Sequence, residues 1–168
     1  IITPEEIAQL ILKLSHMGAK EISLVDSSGM ADPRKIKILA KQIIDLKLDI
    51  KLAVHFHNTR GTAIANCVAA YEAGVRIFDT SLGGLSGTPY GSKELDLGYW
   101  NVPTEDLVNL FEQMGIRTGI DLDILLDCVK MAEHFAGFPL PGHLLRANRD
   151  KSTEEILEQI KSAMHLDI

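Results

Sequence analysis

Apolar residues recur along the chain with two alternating periods, which predicts helices and strands in turn. Over residues 4–17, Ile7, Leu10, Ile11, Leu14 and Met17 fall at helical spacing. Thr3 stands before them as N-cap, Pro4 lies in the first turn and Glu6 completes a capping box, while Gly18 stops the helix. EISLVD, residues 21–26, reads as a short strand. Ser27 to Asp32 is a loop, and Pro33 opens a second helix that runs to about Leu46. KLAVHFH, residues 51–57, is a second strand. Gly61 to Glu72 is a helix with Ile64, Val68 and Tyr71 on one face, closed by Gly74. VRIFDTS, residues 75–81, is a third strand, followed by a Gly-rich loop from Leu82 to Pro103. Helices are predicted near 104–114, 121–136 and 153–164.

HMGAKEISLVDSSG and YEAGVRIFDTSLGG repeat one pattern: helix end, Gly, short strand, Asp, then small residues and Gly. Strand–helix alternation at this period implies parallel strands joined by crossovers. A doubly wound sheet and a TIM barrel both fit. Both folds place their chemistry at the carboxyl ends of strands. Asp26, then His55 and His57, then Asp79 and Ser81 cluster there.

Composition narrows the function classes. The 168 residues carry a net charge of −6, which argues against a nucleic-acid partner. An apolar fraction of 46% excludes disorder as the main state. No apolar run reaches the ~18 residues of a membrane helix. Cys67 and Cys128 make neither a disulfide framework nor a zinc motif, so a cytoplasmic location is the expectation.

His55-Phe56-His57-Asn58 is the most informative stretch. Side chains alternate along a strand, so His55 and His57 share one face, and Val54 and Phe56 face the helices. Two imidazoles ~7 Å apart along a strand can converge on one metal ion. The plain alternative is two histidines bonded to backbone or carboxylates. A cupin would need an all-β chain. An amidohydrolase barrel would need further strand-end histidines, whereas His134, His143 and His165 fall in the helical tail. Asp26 and Asp79 are strand-end carboxylates or acceptors for loop backbone. Arg60 meets an anionic substrate or begins a helix. Tyr99 and Trp100 are lid contacts or packing. Residues 83–91, GGLSGTPYG, lack a phosphate fingerprint but suit a lid, and Asn101 at the loop's far end is free to point into a site.

VDSSGMADP, HFHNTRGTAIAN, DTSLGGLSGTPYG and WNVPTEDLV, in that order, resemble the carboxyl-terminal part of the 3-hydroxy-3-methylglutaryl-CoA lyase family, from about Ala19 to Ala136. The resemblance implies a (β/α)8 TIM barrel. This chain would supply the last three strands, their helices and a helical tail, with 1–168 the carboxyl-terminal part of one catalytic domain. It implies a divalent metal, Mg or Mn, held by His55, His57 and Asn101. A fourth ligand, an Asp beside an Arg on the first barrel strand, has no counterpart in these 168 residues, so the isolated chain is expected to be inactive.

The reaction implied is retro-Claisen cleavage of a 3-hydroxyacyl-CoA. The hydroxyl loses its proton, the carbon–carbon bond breaks, and a ketone or keto acid leaves with an acetyl-CoA enolate. Metal would act as Lewis acid and template. His55 is the implied proton-transfer group and Asp26 an implied active-site carboxylate. Gly84 and Gly87 are the expected substrate-binding positions. The partners expected are an acyl-CoA thioester and a second copy of the chain in a homo-oligomer. Thr88 departs from the family by replacing a loop Cys, and a hydroxyl lacks the thiol's pKa of ~8.5. A related aldolase or Claisen-type condensing enzyme, or a non-catalytic relative, is therefore the alternative.

Overall fold

The computed structural model describes residues 3–86 and 100–147. The elements are α1 (Pro4–His16), β1 (Glu21–Asp26), α2 (Pro33–Asp45), β2 (Lys51–Phe56), α3 (Ala63–Ala73), β3 (Ile77–Asp79), α4 (Thr104–Gln113) and α5 (Leu122–Ala136), with short turns at Leu82–Gly84 and Leu144–Arg146. The expected helix at 153–164 lies outside the described residues.

Local chemistry explains the boundaries. At α1, Glu6 N–H donates to Thr3 Oγ1 at 3.2 Å and Thr3 N–H to Glu6 Oε2 at 2.8 Å, a reciprocal capping box. Asp32 caps α2 by accepting from Lys35 N–H at 3.0 Å. Gly74, with φ 114°, ends α3 in a conformation that side chains rarely adopt. Pro103 is the N-cap of α4 and offers no side-chain acceptor, while the Thr104 hydroxyl bonds that of Thr80 at 2.9 Å.

The strands are parallel in the order β1-β2-β3. Sequential order matters, because α1, α2 and α3 then all fall on one side. A core of Ile11, Ile36, Ala40, Leu52, Val54, Phe56, Cys67 and Ala70 joins that helical layer to the sheet. A one-sided helical layer over sequential parallel strands is the winding of a barrel wall, and equally of one half of a doubly wound sheet. In α3 the most buried stripe is Ala63, Cys67 and Ala70, small residues that let the helix sit close to β2. Ile64, Val68 and Tyr71, on the face that the spacing marked, are partly buried against the same core. Burial pushes the Cys67 thiol up to about 12, so it packs as a small apolar group. Among the described residues no helix is long and apolar enough to cross a membrane.

The register fixes two faces. Val25 pairs with His55 and His55 with Asp79; Asp26 pairs with Phe56. Neighbours in a parallel register project to the same side. Val25, His55 and Asp79 therefore share the face away from the helices. Leu24, Val54, Phe56 and Phe78 share the helical face, as their core contacts show.

Two strands are shorter than their patterns predict. β2 ends at Phe56, because the chain after Asp26 turns away at Gly29, where φ is 62°. β3 covers only Ile77–Asp79, since Val75 N–H is spent closing α3 on Ala70 O and Ser81 bridges to Pro103.

Candidate functional site

Alternation along β2 puts the His55 and His57 rings on one face, and the structure brings their Nε2 atoms within 3.2 Å. His57 lies one residue past the strand, in an isolated antiparallel bridge with Asn101. Residues directly opposite in an antiparallel pair present side chains to the same side. The returning end of the Gly-rich loop therefore brings Asn101 to the His57 side chain's face. Asn101 Nδ2 donates to Leu85 O at 3.1 Å, which fixes the amide's orientation. Its Oδ1 is buried with no hydrogen-bond partner.

These three side chains fit a divalent metal in part. Nitrogens each ~2.1 Å from one ion at a right angle lie about 3 Å apart, close to the observed pair. The buried Oδ1 is an oxygen donor in need of a partner. The same ring separation also suits an N–H···N hydrogen bond between neutral imidazoles. A metal needs both Nε2 lone pairs, so loading it displaces that proton. No carboxylate joins the set: among the described residues no group of three or more His, Cys, Asp or Glu side chains is placed to hold an ion.

Asp79 lies behind His55, with Oδ2 3.1 Å from Nδ1, although the contact is poorly aligned for a hydrogen bond. A carboxylate there favours the tautomer with Nδ1 protonated and Nε2 free to accept. Sequence reasoning left Asp79 open between a site role and a loop acceptor; the register with His55 places it on the site face.

Asp26 is placed differently. It falls beside Phe56 on the helical face, opposite His55. Its Oδ1 accepts from Met30 N–H at 3.1 Å and Ser28 Oγ at 3.3 Å, and its Oδ2 from Ala31 N–H at 2.7 Å. The carboxylate thereby organises the 27–31 loop at the carboxyl end of β1. Arg60 also serves that loop, donating to Ser28 O at 2.8 Å. Gly29 packs so closely that a Cβ would lie 2.9 Å from His57 O, which presses the loop against the histidine's backbone. Gly84 lies in the turn after β3, while Gly87 and Thr88 lie outside the described residues.

Sequence reasoning missed Glu105. It reads as an ordinary acid in a helix's first turn, yet it is fully buried and accepts from Gly83 N–H at 3.0 Å. Burial pushes its carboxyl above the usual glutamate range, against the opposing pull of that N–H. A raised folded value means that its contribution to stability is complete below the ordinary glutamate range and is lost as pH rises through the raised value. Glu105→Gln keeps the carbonyl acceptor and removes the charge. Relative to the parent, its melting temperature should therefore be higher at pH 8 than at pH 5. An offset identical at both pH values would rule out an ionisation cost at this site.

Residues 1–131 match the HMGL-like family model. The (R)-citramalyl-CoA lyase of Chloroflexus aurantiacus is 38% identical over 141 residues, which cover 84% of this chain and 43% of that protein. A hydroxymethylglutaryl-CoA lyase of Bacillus subtilis is 38% identical over 142 residues, 84% of this chain and 46% of that protein. A solved HMG-CoA lyase structure from Acinetobacter baumannii, in complex with coenzyme A and 3-methylmalate, aligns with a TM-score of 0.79 at 38% identity, covering 90% of this chain and 48% of that one. The chain spans a little under half the length of these relatives. With the family match extending over most of its residues, the chain belongs to the HMGL-like family.

Proposed function

We propose that the protein carrying this chain is a divalent-metal-dependent carbon–carbon lyase that cleaves a 3-hydroxyacyl-CoA to acetyl-CoA and a ketone or keto acid. In this reading β1, β2 and β3 are the last three strands of an eight-stranded barrel, and the open face bearing His55 points into it. The observation that carries the reading is the meeting of His55 and His57 at 3.2 Å on the face away from the core, with Asn101 bridged beside them. Relatives named as HMG-CoA and citramalyl-CoA lyases supply the reaction class. The relative bound to coenzyme A supports a thioester substrate.

His55, His57 and Asn101 would hold the metal, Mg or Mn, with a carboxylate from the rest of the barrel completing the set. When bound, the ion lowers the cost of deprotonating the substrate hydroxyl and orients the neighbouring carbonyl. His55 is the residue placed to take or return a proton, with Asp79 behind its Nδ1. Gly84 and Gly87 are the proposed substrate-binding positions on the strength of the family resemblance, while the missing Cβ at Gly84 makes room for Asn101 and Pro141. Thr88 stands where the resemblance expects a loop Cys, and this favours aldolase or Claisen-type condensation as the second reading.

Incubating the full-length protein with Mg²⁺ or Mn²⁺ and 3-hydroxy-3-methylglutaryl-CoA or citramalyl-CoA should release acetyl-CoA from at least one of them. Release from neither, with metal bound, would remove the lyase reading. In the same assay Thr88→Cys restores an acid with a pKa of ~8.5 and should turn over 3-hydroxy-3-methylglutaryl-CoA severalfold faster than the parent. Equal rates would take this loop position out of the proton path.

A further inference from the structure

We infer that residues 138–144, which follow α5, form a strap that fixes the turn Leu82–Gly84 and through it Asn101, with Glu105 and Asp106 as the positioning residues that hold the strap. The inference rests on the proposed metal site for its consequence, but its geometry stands apart from that reading. The strap also lies beyond residue 131, where the family match ends.

The chain reverses at Gly137, with φ 77°. Glu133 then accepts from Leu140 N–H at 2.7 Å and pairs with Arg146, which pins the strap's beginning and its exit to α5. Leu140 is buried and lies over the turn: a Cβ on Gly83 would come within 2.5 Å of its side chain. Gly142 N–H donates to Gly83 O at 3.2 Å, while Gly83 N–H donates to Glu105 Oε2. Both backbone groups of Gly83 are thus held from outside the turn. A Cβ on Gly142 would lie 1.9 Å from Glu105 Oε1, so any side chain at this crossing displaces the Glu105 carboxylate. Asp106, the next residue on α4, gathers the far end by accepting from His143 N–H, His143 Nδ1 and Leu144 N–H at 2.7–3.0 Å.

The turn passes this constraint directly to the site. Gly84 O accepts from Asn101 N–H at 3.0 Å, and Leu85 O accepts from the Asn101 amide. The space at Gly84 is closed on one side by Asn101 O, 2.9 Å from a built Cβ, and on the other by Pro141, at 3.4 Å. The Phe138 and Trp100 rings meet at 6.4 Å, so the residue before Asn101 also touches the strap. Burying a carboxylate to hold a three-residue turn is costly. What it secures is the placement of the one oxygen donor in the candidate site.

The test uses two variants of the full-length protein, Gly142→Ala and Asp106→Ala, each checked for folding by circular dichroism. Asp106 is at the strap's margin, so its variant keeps the test decisive if Gly142→Ala does not fold. Two readouts are taken: deuterium uptake in the peptide containing Trp100–Val102, and affinity for Mn²⁺ from the resonance of the free ion. His57→Ala is the control for the metal site. The strap predicts faster exchange at Asn101 and a ~10–100-fold weaker Mn²⁺ affinity, the scale on which outer-sphere supports act. Unchanged exchange in the folded variants would overturn the strap. Faster exchange with unchanged Mn²⁺ affinity would overturn its positioning role. If the parent binds no Mn²⁺ but the variants still exchange faster, the metal reading falls while the strap's hold on Asn101 is upheld.

Discussion

Alanine at His57 is expected to cost the full-length protein its metal affinity and at least ~100-fold in acetyl-CoA release, with a smaller loss of folding stability than a truncation in the apolar core. Support residues one step removed from a metal already cost ~10–100-fold, and a ligand should cost more. His57 Nε2 is 3.2 Å from His55 Nε2, so its loss halves the pair on which the site is built. His57 is itself buried, but its ring is outside the apolar cluster of Val54, Phe56 and Cys67, which its loss leaves intact. Stopped assays on the metal-loaded variant, alongside a denaturation curve, separate the two effects. Activity within about threefold of the parent would remove His57 from the site.

The neighbouring residue should behave in the opposite way. Phe56 is 1% exposed and among the largest fully buried side chains, set between β2 and the helical layer. Phe56→Ala removes a ring from that core and leaves a cavity, at a cost of ~3–5 kcal/mol. Stabilities of single domains are ~5–15 kcal/mol, so much of the margin goes. The denaturation midpoint should fall sharply while the folded fraction keeps its metal affinity. A loss below ~1 kcal/mol would mean that Phe56 is not core and that the strand's two faces are misassigned.

The fold was legible where one local signal decided the outcome. Thr3, Pro4 and Glu6 announced α1, and the capping box formed as spaced. β1 occupies the residues its pattern marked, Glu21–Asp26. Strand alternation placed His55 and His57 together because that period is a property of the backbone. What the sequence withheld depends on pairing between distant segments. The bridge of His57 to Asn101 spans α3, β3 and the Gly-rich loop; no periodicity signals it, and only the family resemblance grouped Asn101 with the histidines. Asp26 was legible as a strand-end carboxylate, but its register with Phe56 and its bonds to the 27–31 loop depend on pairing that the local pattern does not carry. Glu105 was invisible for a different reason: an acid in a helix's first turn is ordinary, and only the approach of Gly83 and Gly142 buries it.

The central claim is tested most directly by removing and restoring the metal. The full-length protein, stripped with a chelator and freed of it, should release no acetyl-CoA from either 3-hydroxyacyl-CoA. Mn²⁺ or Mg²⁺ added back should restore release, and His57→Ala treated identically should stay silent. Release of acetyl-CoA by the stripped protein at the rate of the reloaded one would contradict the account.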